Sequence, residues 1–424
     1  MEKKQFAIGL VTGVLITAFL VAVGLSAKII YTNLHEKTEA IAEAEAREQT
    51  AQEISNNNKK KSSSTILSDE DFLKKVMLME NMIDLYYIED ASEEDLKEGV
   101  YDGIMASIDD PYACYYNEKE LEDMTQDMTG VFFGIGAVLM LDQDYSCPKV
   151  TGIIADSPAS ESELRIDDLI VKVDGTDIVG MELSEGVDLI KGPENTDVTL
   201  TVIRRATGDE LEITITRRKV ETPSVTYEML EDDIAYIAIS EFDDVTSDQF
   251  KTALDDVKKQ GMKALILDLR GNHGGVLSAA VSIGSEILPK GLIVYTEDKY
   301  GKRDEYSSPG DKELDVPMVV LINGESASAS EILAGAIKDY GTGTLMGTTS
   351  FGKGIVQRVI SLGDGSAIKL TVSHYYTPLG NDIHKVGIEP DIEVEFDIDA
   401  YLEDINSDNQ KDEAIQYLKE QLDK

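Results

Sequence analysis

The sequence predicts a multi-domain α/β protein, and three observations carry that expectation. From residue 219 to 395, β-branched apolar runs alternate with amphipathic helical stretches. Residues 131–218 instead break into short β-like runs separated by turn dipeptides such as Asp174-Gly175. An uncharged run of 22 residues, Phe6–Ala27, stands apart at the N-terminus.

Each element follows in chain order. Crossing a bilayer takes about 20 apolar residues in a helix, whereas the apolar core of a cleaved signal is about 7–15. Leu25 also occupies a position where signal cleavage wants a small residue. Residues 1–27 are therefore expected to be a cytoplasmic tip and a retained transmembrane helix. Lys3 and Lys4 place the tip inside and the remaining chain outside the cytoplasm, a single-pass arrangement in the cell membrane. A cleaved signal with secretion is the alternative.

Residues 28–64 read as a stalk ending in the low-complexity run Asn56–Ser64. Residues 65–130 read as helical. Phe72, Val76, Met77, Met79 and Met82 form one stripe, and a second helix is expected over 92–107, opened by Ser92 and Asp95. Asp109-Asp110-Pro111 marks a turn. Residues 131–218 form a small β-rich module with one helix near 184–190. Residues 219–395 form an α/β core, with strands expected at 234–239, 264–269, 318–322, 345–347, 355–361 and 367–376. Helices are expected at 247–260, 275–288 and 328–339. Residues 396–424 form an acidic tail ending in a helix over 412–422.

Charge excludes some partners. With 39 Lys and Arg against 81 Asp and Glu, the net charge is −42, so the surface repels nucleic acid on average. The helical stretch 65–130 and the tail 391–424 hold −24 of that charge. Two cysteines cannot staple a scaffold, and no spacing of His or Cys suits a zinc site, so no metal or cofactor is expected. Cys114 and Cys147 are expected as free thiols.

Three segments carry chemistry. The first is Glu325-Ser326-Ala327-Ser328-Ala329-Ser330-Glu331, where a strand gives way to a helix through small residues. A serine there is either a helix cap or a nucleophile whose oxyanion the helix N-terminus would stabilise. The second is Gly347-Thr348-Thr349-Ser350-Phe351-Gly352-Lys353-Gly354. It falls short of a phosphate-binding loop because Gly354 replaces the hydroxyl residue and the following residues read as strand, not helix. Lys353 is either an ordinary surface lysine or a general base, the latter requiring a dry pocket that depresses its pKa. The third is Arg270-Gly271-Asn272-His273-Gly274-Gly275, a tight turn or a set of amide donors aimed at an anion. His273 is the only histidine in a loop of this kind and leaves a Ser/His pair as a minor reading.

In their order and spacing, these segments, together with Tyr375–Gly380 and Gly387–Asp391, resemble the carboxyl-terminal processing, or tail-specific, serine peptidases. The resemblance spans roughly residues 66–393. It implies that Ser328 is the nucleophile, Lys353 the general base and Gln357 the residue that orients the lysine. It also implies that the amides of Gly274 and Ala329 are oxyanion donors. Residues 131–218 become a PDZ domain, with Gly134, Ile135, Gly136 and Ala137 holding a peptide carboxylate. Residues 219–395 become the Ser/Lys peptidase core. Substrates would be proteins or peptides with accessible C-termini, and homodimerisation through the terminal helices is a further implication. Two positions depart from the family pattern: Asp167 stands where Gly is usual and His273 where Pro is common. The competing reading is a membrane-tethered PDZ scaffold with an inactive peptidase domain.

Overall fold

A computed structural model describes residues 69–424. The expected anchor, 1–27, and stalk, 28–64, lie outside them. Among the described residues no helix is long and apolar enough to cross a membrane. The chain divides into two compact units at Leu96. Helix α1, Glu70–Tyr86, belongs to the first. Asp69 caps it by accepting from the amides of Asp71 and Phe72. It buries no residue and exposes Phe72, Met77, Met79 and Met82.

Helix α2, Glu93–Ala106, opens where Ser92 Oγ accepts from Asp95 N at 3.0 Å. The stretch up to residue 130 is not helical throughout. Cys114–Tyr116 forms strand β1, because Cys114, Tyr115 and Tyr116 pair antiparallel with residues 367–369. A capping box then starts helix α3, Glu118–Thr129. Asn117 accepts from Glu120 N, and Glu120 accepts from Asn117 N. Gly130 ends α3 in the left-handed conformation.

The β-rich module follows. Its strands are β2 Val131–Gly134, β3 Ala137–Asp142, β4 Cys147–Ile153, β5 Asp168–Val173 and β6 Thr176–Asp177. Helix α4, Leu183–Ile190, comes next, then β7 Asp197–Arg204, β8 Asp209–Thr216 and β9 Arg218–Glu221. The main sheet runs β3-β4-β5-β7-β8, with β6 on β5, while β2 pairs with β9. Strand β8 alternates buried Ile213 and Ile215 with exposed neighbours, as a sheet with one wet face should. Val150, Ile170, Val198, Leu200 and Val202 fill the core. Asp167 adopts φ 71°, the left-handed region that explains why glycine suits this turn.

The remaining elements alternate. They are β10 Val225–Met229, β11 Ile234–Ile239, α5 Thr246–Gln260, β12 Ala264–Asp268, α6 Leu277–Ile287, β13 Gly291–Asp298, β14 Arg303–Ser308, β15 Met318–Ile322 and α7 Ala329–Tyr340. They continue with β16 Thr344–Gly347, β17 Ile355–Ser361, β18 Ala367–Tyr376, β19 Ile392–Glu393, α8 Ile398–Glu403 and α9 Asn409–Leu422. One sheet runs β10-β11-β12-β15-β16-β19, parallel from β11 onward. Its central strands β12 and β15 are buried at every residue, hence their unbroken apolar sequence. Residues of α5, α6 and α7 join one core, and Ala414 and Leu418 of α9 pack with Ile266, Val319 and Met346 in another. The acidic tail is therefore in part a core element. Arg270, bonded to Asp268, Asp408 and Gln410, pins it.

A second sheet runs β1-β18-β13-β14 with β17 on β18. The hairpin β13–β14 was not expected from sequence, since Arg303–Ser308 is polar and mostly exposed. Cys114 and Cys147 are both free.

Candidate active site

Strand β15 delivers the chain to a tight turn before α7. Within it, two of the three serines are fastened structurally. Ser326 Oγ donates to Leu269 O at 2.8 Å, and Ser330 Oγ donates to Asn272 O at 3.0 Å; both serines are buried. Ser328, between them, remains half-buried and lines a cleft of about 690 Å³. It is the N-cap of α7, held at φ 53° and ψ −111°. A non-glycine residue there stores about 1–3 kcal/mol of backbone strain, kept only because surrounding bonds impose it.

One carboxylate imposes much of it. Glu331, 1% exposed, accepts from Ser328 N at 2.9 Å and Lys353 N at 2.8 Å on Oε2. On Oε1 it accepts from Gly352 N at 2.7 Å and Ser350 Oγ at 2.6 Å. Ser350 Oγ in turn accepts from Ile388 N at 2.7 Å, and Tyr375 Oη donates to Ser328 O at 3.0 Å. The two chemistry-bearing loops, on α7 and before β17, are thus tied together through a single side chain.

The glycine-rich loop after β12 packs directly on this turn. Gly274 has φ 101°, and a β-carbon on it would lie 2.7 Å from Ser328 Cβ and 2.9 Å from Ala329 N. Only glycine allows that approach. Ala329 N–H, first in α7, has no acceptor among the described residues. Gly274 N–H differs from expectation: it donates to Asn272 Oδ1 at 2.8 Å. The cause is that the buried Asn272 side chain fixes its amide nitrogen on Ile239 O at 2.8 Å, which turns its oxygen onto Gly274.

Lys353 is pinned by its backbone, but its amine lies 4.4 Å from the centre of the Tyr112 ring and makes no hydrogen bond to Ser328 Oγ. Burial, and then the charge of Lys369, hold its pKa below the ordinary lysine value. Gln357 lines the same cleft as Ser328, yet its Nε2 donates to Thr371 Oγ1 at 3.4 Å instead of meeting Lys353. The structure therefore gathers Ser328, Ala329, Gly274 and the Lys353 backbone, and leaves the lysine amine parked on Tyr112.

Met124, Met128, Val276, Leu277, Ile332 and Ile355 make the cleft wall apolar. His273 is exposed and bonds to neither Ser328 nor Lys353. Residues 355–361 form a strand, as the departure from a phosphate loop required. Among the described residues no His, Cys, Asp and Glu group suits a metal.

A second cavity, about 530 Å³, lies between β2, β3 and α4. Gly134, Ile135, Gly136 and Ala137 all line it, and the amides of Ile135 and Gly136 donate to no group among the described residues. Gly136 has φ 78°, and a β-carbon there would sit 2.2 Å from Ser157 Cβ.

Sequence reasoning missed Glu331, Tyr112 and Thr371. The signal for Glu331 was available: it stands three residues after Ser328, the capping-box spacing.

Comparison with known proteins agrees with this geometry. Residues 233–394 match the model of peptidase family S41, and 149–204 that of a PDZ domain. Residues 23–120 match that of the activating protease CtpB N-terminal domain. The carboxy-terminal-processing protease of Bartonella bacilliformis is 37% identical over 317 residues, 73% of this chain and 72% of that protein. The carboxyl-terminal-processing protease of Synechocystis is 35% identical over 306 residues, 71% of each. Among solved structures, the photosystem II D1 C-terminal processing protease is 30% identical across 77% of this chain and 87% of its own, with a TM-score of 0.45.

Fold and site define a serine-type peptidase carrying a PDZ domain. The chain belongs to the carboxyl-terminal processing proteases of family S41.

Proposed function

We propose that this chain is a membrane-anchored, extracytoplasmic endopeptidase that captures protein C-terminal tails in its PDZ groove and cleaves them by a Ser/Lys mechanism. The observation that carries the chemistry is the shared Glu331 carboxylate, which holds the Ser328 and Lys353 loops side by side. Neutral Lys353 takes the Ser328 Oγ proton as that oxygen bonds to the substrate carbonyl carbon. Ala329 N–H stabilises the oxyanion at the helix N-terminus, joined by Gly274 N–H once Asn272 Oδ1 lets it go. As the C–N bond breaks, the leaving amine takes the proton from Lys353. Water then attacks the acyl-enzyme with Lys353 as base, releasing the acid and restoring Ser328. Gln357 orients the lysine in its working pose.

Ser328→Ala and Lys353→Ala should each abolish turnover of a peptide with an apolar C-terminus while thermal unfolding stays cooperative. Full activity in Ser328→Ala overturns the assignment. Labelling of wild type by a fluorophosphonate probe, absent in Ser328→Ala, separates the enzyme from a tethered scaffold with an inactive core. The anchor reading rests on the apolar run Phe6–Ala27, and fractionation of cells with protease protection of the body tests it. The dimer reading rests on the exposed apolar side chains of α1, and sedimentation with Met77→Glu tests it.

A further inference from the structure

We propose that the peptide groove contains a cation subsite, built on Asp243 with Asp127 and Glu241, which selects protein tails carrying Lys or Arg close to their C-terminus. The proposal rests on reading the groove as the binding site for C-terminal tails. One wall of the 530 Å³ cavity offers the free amides of Ile135 and Gly136, and Val187 and Ile190 supply an apolar side. Asp127, Glu241 and Asp243 add an acidic stretch to its lining.

Asp243 is the unusual member. It is 3% exposed, yet among the described residues its carboxylate accepts no hydrogen bond and enters no ion pair. Its Oδ2 would lie 2.9 Å from a β-carbon on Gly130, another residue of the cavity wall. Other buried aspartates of this protein are partnered: Asp168 by Arg204 at 2.9 Å, Asp268 by Arg270 at 2.6 Å, and Asp142 by Lys149 and Arg205. A buried carboxylate without a partner is costly. Burial and the neighbouring charges of Glu241, Asp127 and Asp244 accordingly push Asp243 up to about 6. Among the described residues on the cavity wall the one basic side chain, Lys191, directs its amine to Gln126 Oε1 at 3.5 Å. A tail bearing only its carboxylate would enter against this field. A tail with a cationic side chain upstream would place its carboxylate on the amides and its cation on the acidic wall, supplying the partner that Asp243 lacks.

The groups that face Asp243 define the pH response. Glu241 and Asp244 lie on its own segment, Asp127 on α3 and Lys191 after α4. His273, on the glycine-rich loop, acts on Glu241. Protonation of Asp243 as pH falls through about 6 should erase the preference.

The test uses the full chain carrying Ser328→Ala, so that bound peptides survive. Fluorescence anisotropy is read with peptides of one apolar terminal residue, with Lys, Gln or Glu placed in turn at each of the four preceding positions. At one position or more the Lys peptide should bind about 5- to 10-fold tighter than the Gln peptide, and the Glu peptide weakest. Adding Asp243→Asn should bring the Lys to Gln ratio to about one while the Gln peptide still binds. Glu241→Gln, on the solvent side of the wall, should reduce the ratio in part and serves if Asp243→Asn unfolds. The preference should fade below about pH 6 in the parent and be flat in Asp243→Asn. C-terminal amidation should weaken every peptide. Equal binding of Lys and Gln peptides at all positions, with amidation still harmful, overturns the subsite and leaves the tail-binding reading intact. Binding indifferent to amidation overturns both.

Discussion

Glu331 offers the sharpest perturbation of the site. Its carboxylate is 1% exposed and receives four donors within 2.9 Å, from Ser328 N, Lys353 N, Gly352 N and Ser350 Oγ. Hydrogen bonds to a charged acceptor are worth about 1.5–3 kcal/mol each, and a buried donor left without its acceptor costs about 1–3 kcal/mol. Glu331→Ala strands all four, so even with partial relaxation the loss should be about 4 kcal/mol or more. Glu331→Gln is the more informative change. It keeps one acceptor oxygen, but its NH₂ must face two of the donors. With the oxygen retained toward Ser350 and Gly352, the NH₂ opposes the Ser328 and Lys353 amides, and the two loops part. The stability loss should be about 2–4 kcal/mol, and the loss of kcat/KM should be 100-fold or more, roughly what misplacing reacting groups by 1 Å costs. Urea unfolding and cleavage of a fluorogenic peptide, measured in conditions where Glu331→Gln is still folded, check both. A folded Glu331→Gln with kcat/KM within about threefold of wild type would refute the claim that this carboxylate aligns the site.

Other expectations follow from the same geometry. Lys353 must be neutral to act as base, and burial holds its folded pKa below the ordinary value of 10.5, so kcat/KM should rise with pH through that depressed pKa. The sign of the stability effect is the same: between the folded and unfolded pKa the unfolded chain binds more protons, so wild type should gain stability with rising pH relative to Lys353→Met in paired urea titrations. Tyr112→Leu removes the ring that holds the protonated amine, favouring the neutral form by about 2- to 30-fold and moving the acidic limb of the rate profile to lower pH, whereas Tyr112→Phe should leave it in place. Gly136→Ala, whose methyl would lie 2.2 Å from Ser157 Cβ, should abolish peptide binding to the groove by anisotropy while Ser328 still reacts with the fluorophosphonate probe. Asp167, at φ 71°, should tolerate Gly within about 0.5 kcal/mol but lose about 1–2 kcal/mol on change to Val in thermal melts.

Much of the fold was legible because the strongest signals are one-dimensional. Ala264–Asp268 and Met318–Ile322 are unbroken apolar runs between turn residues, and such runs become central parallel strands. Gly261 ends α5 in the left-handed conformation, where the helix expected over 247–260 stops. The misses are cases where a distant strand decides. Cys114–Tyr116 is three residues long, and only its pairing with Ala367–Lys369 makes it a strand. The hairpin β13–β14 hides because its second strand is charged and exposed. In the site, the residue types and spacings of Ser328, Lys353 and Gln357 were readable, but their mutual positions were not. Nothing local says that Asn272 would engage Gly274 N–H, or that the lysine amine would rest on a tyrosine about 240 residues earlier in the chain.

The parked lysine separates two kinds of preorganisation. The backbone is already committed: two amides that share one carboxylate oxygen are neighbours, and the strained Ser328 dihedrals are locked. The side chain is not committed. Its resting place over Tyr112 favours the charged amine, which cannot serve as base. The turn that presents Tyr112 is fixed by Tyr112 N on Asp110 Oδ1 at 3.0 Å and by Thr371 N on Asp110 Oδ2 at 3.3 Å. Thr371 also holds Gln357. One turn ahead of the PDZ module therefore contacts Lys353 directly and Gln357 through Thr371. For the proposed Ser/Lys hydrogen bond, the amine must leave Tyr112 by rotation about its side-chain bonds and lose a proton. Rotations of that kind are fast compared with turnover. In the proposed mechanism the cost of readying the site falls on deprotonating Lys353, which burial favours.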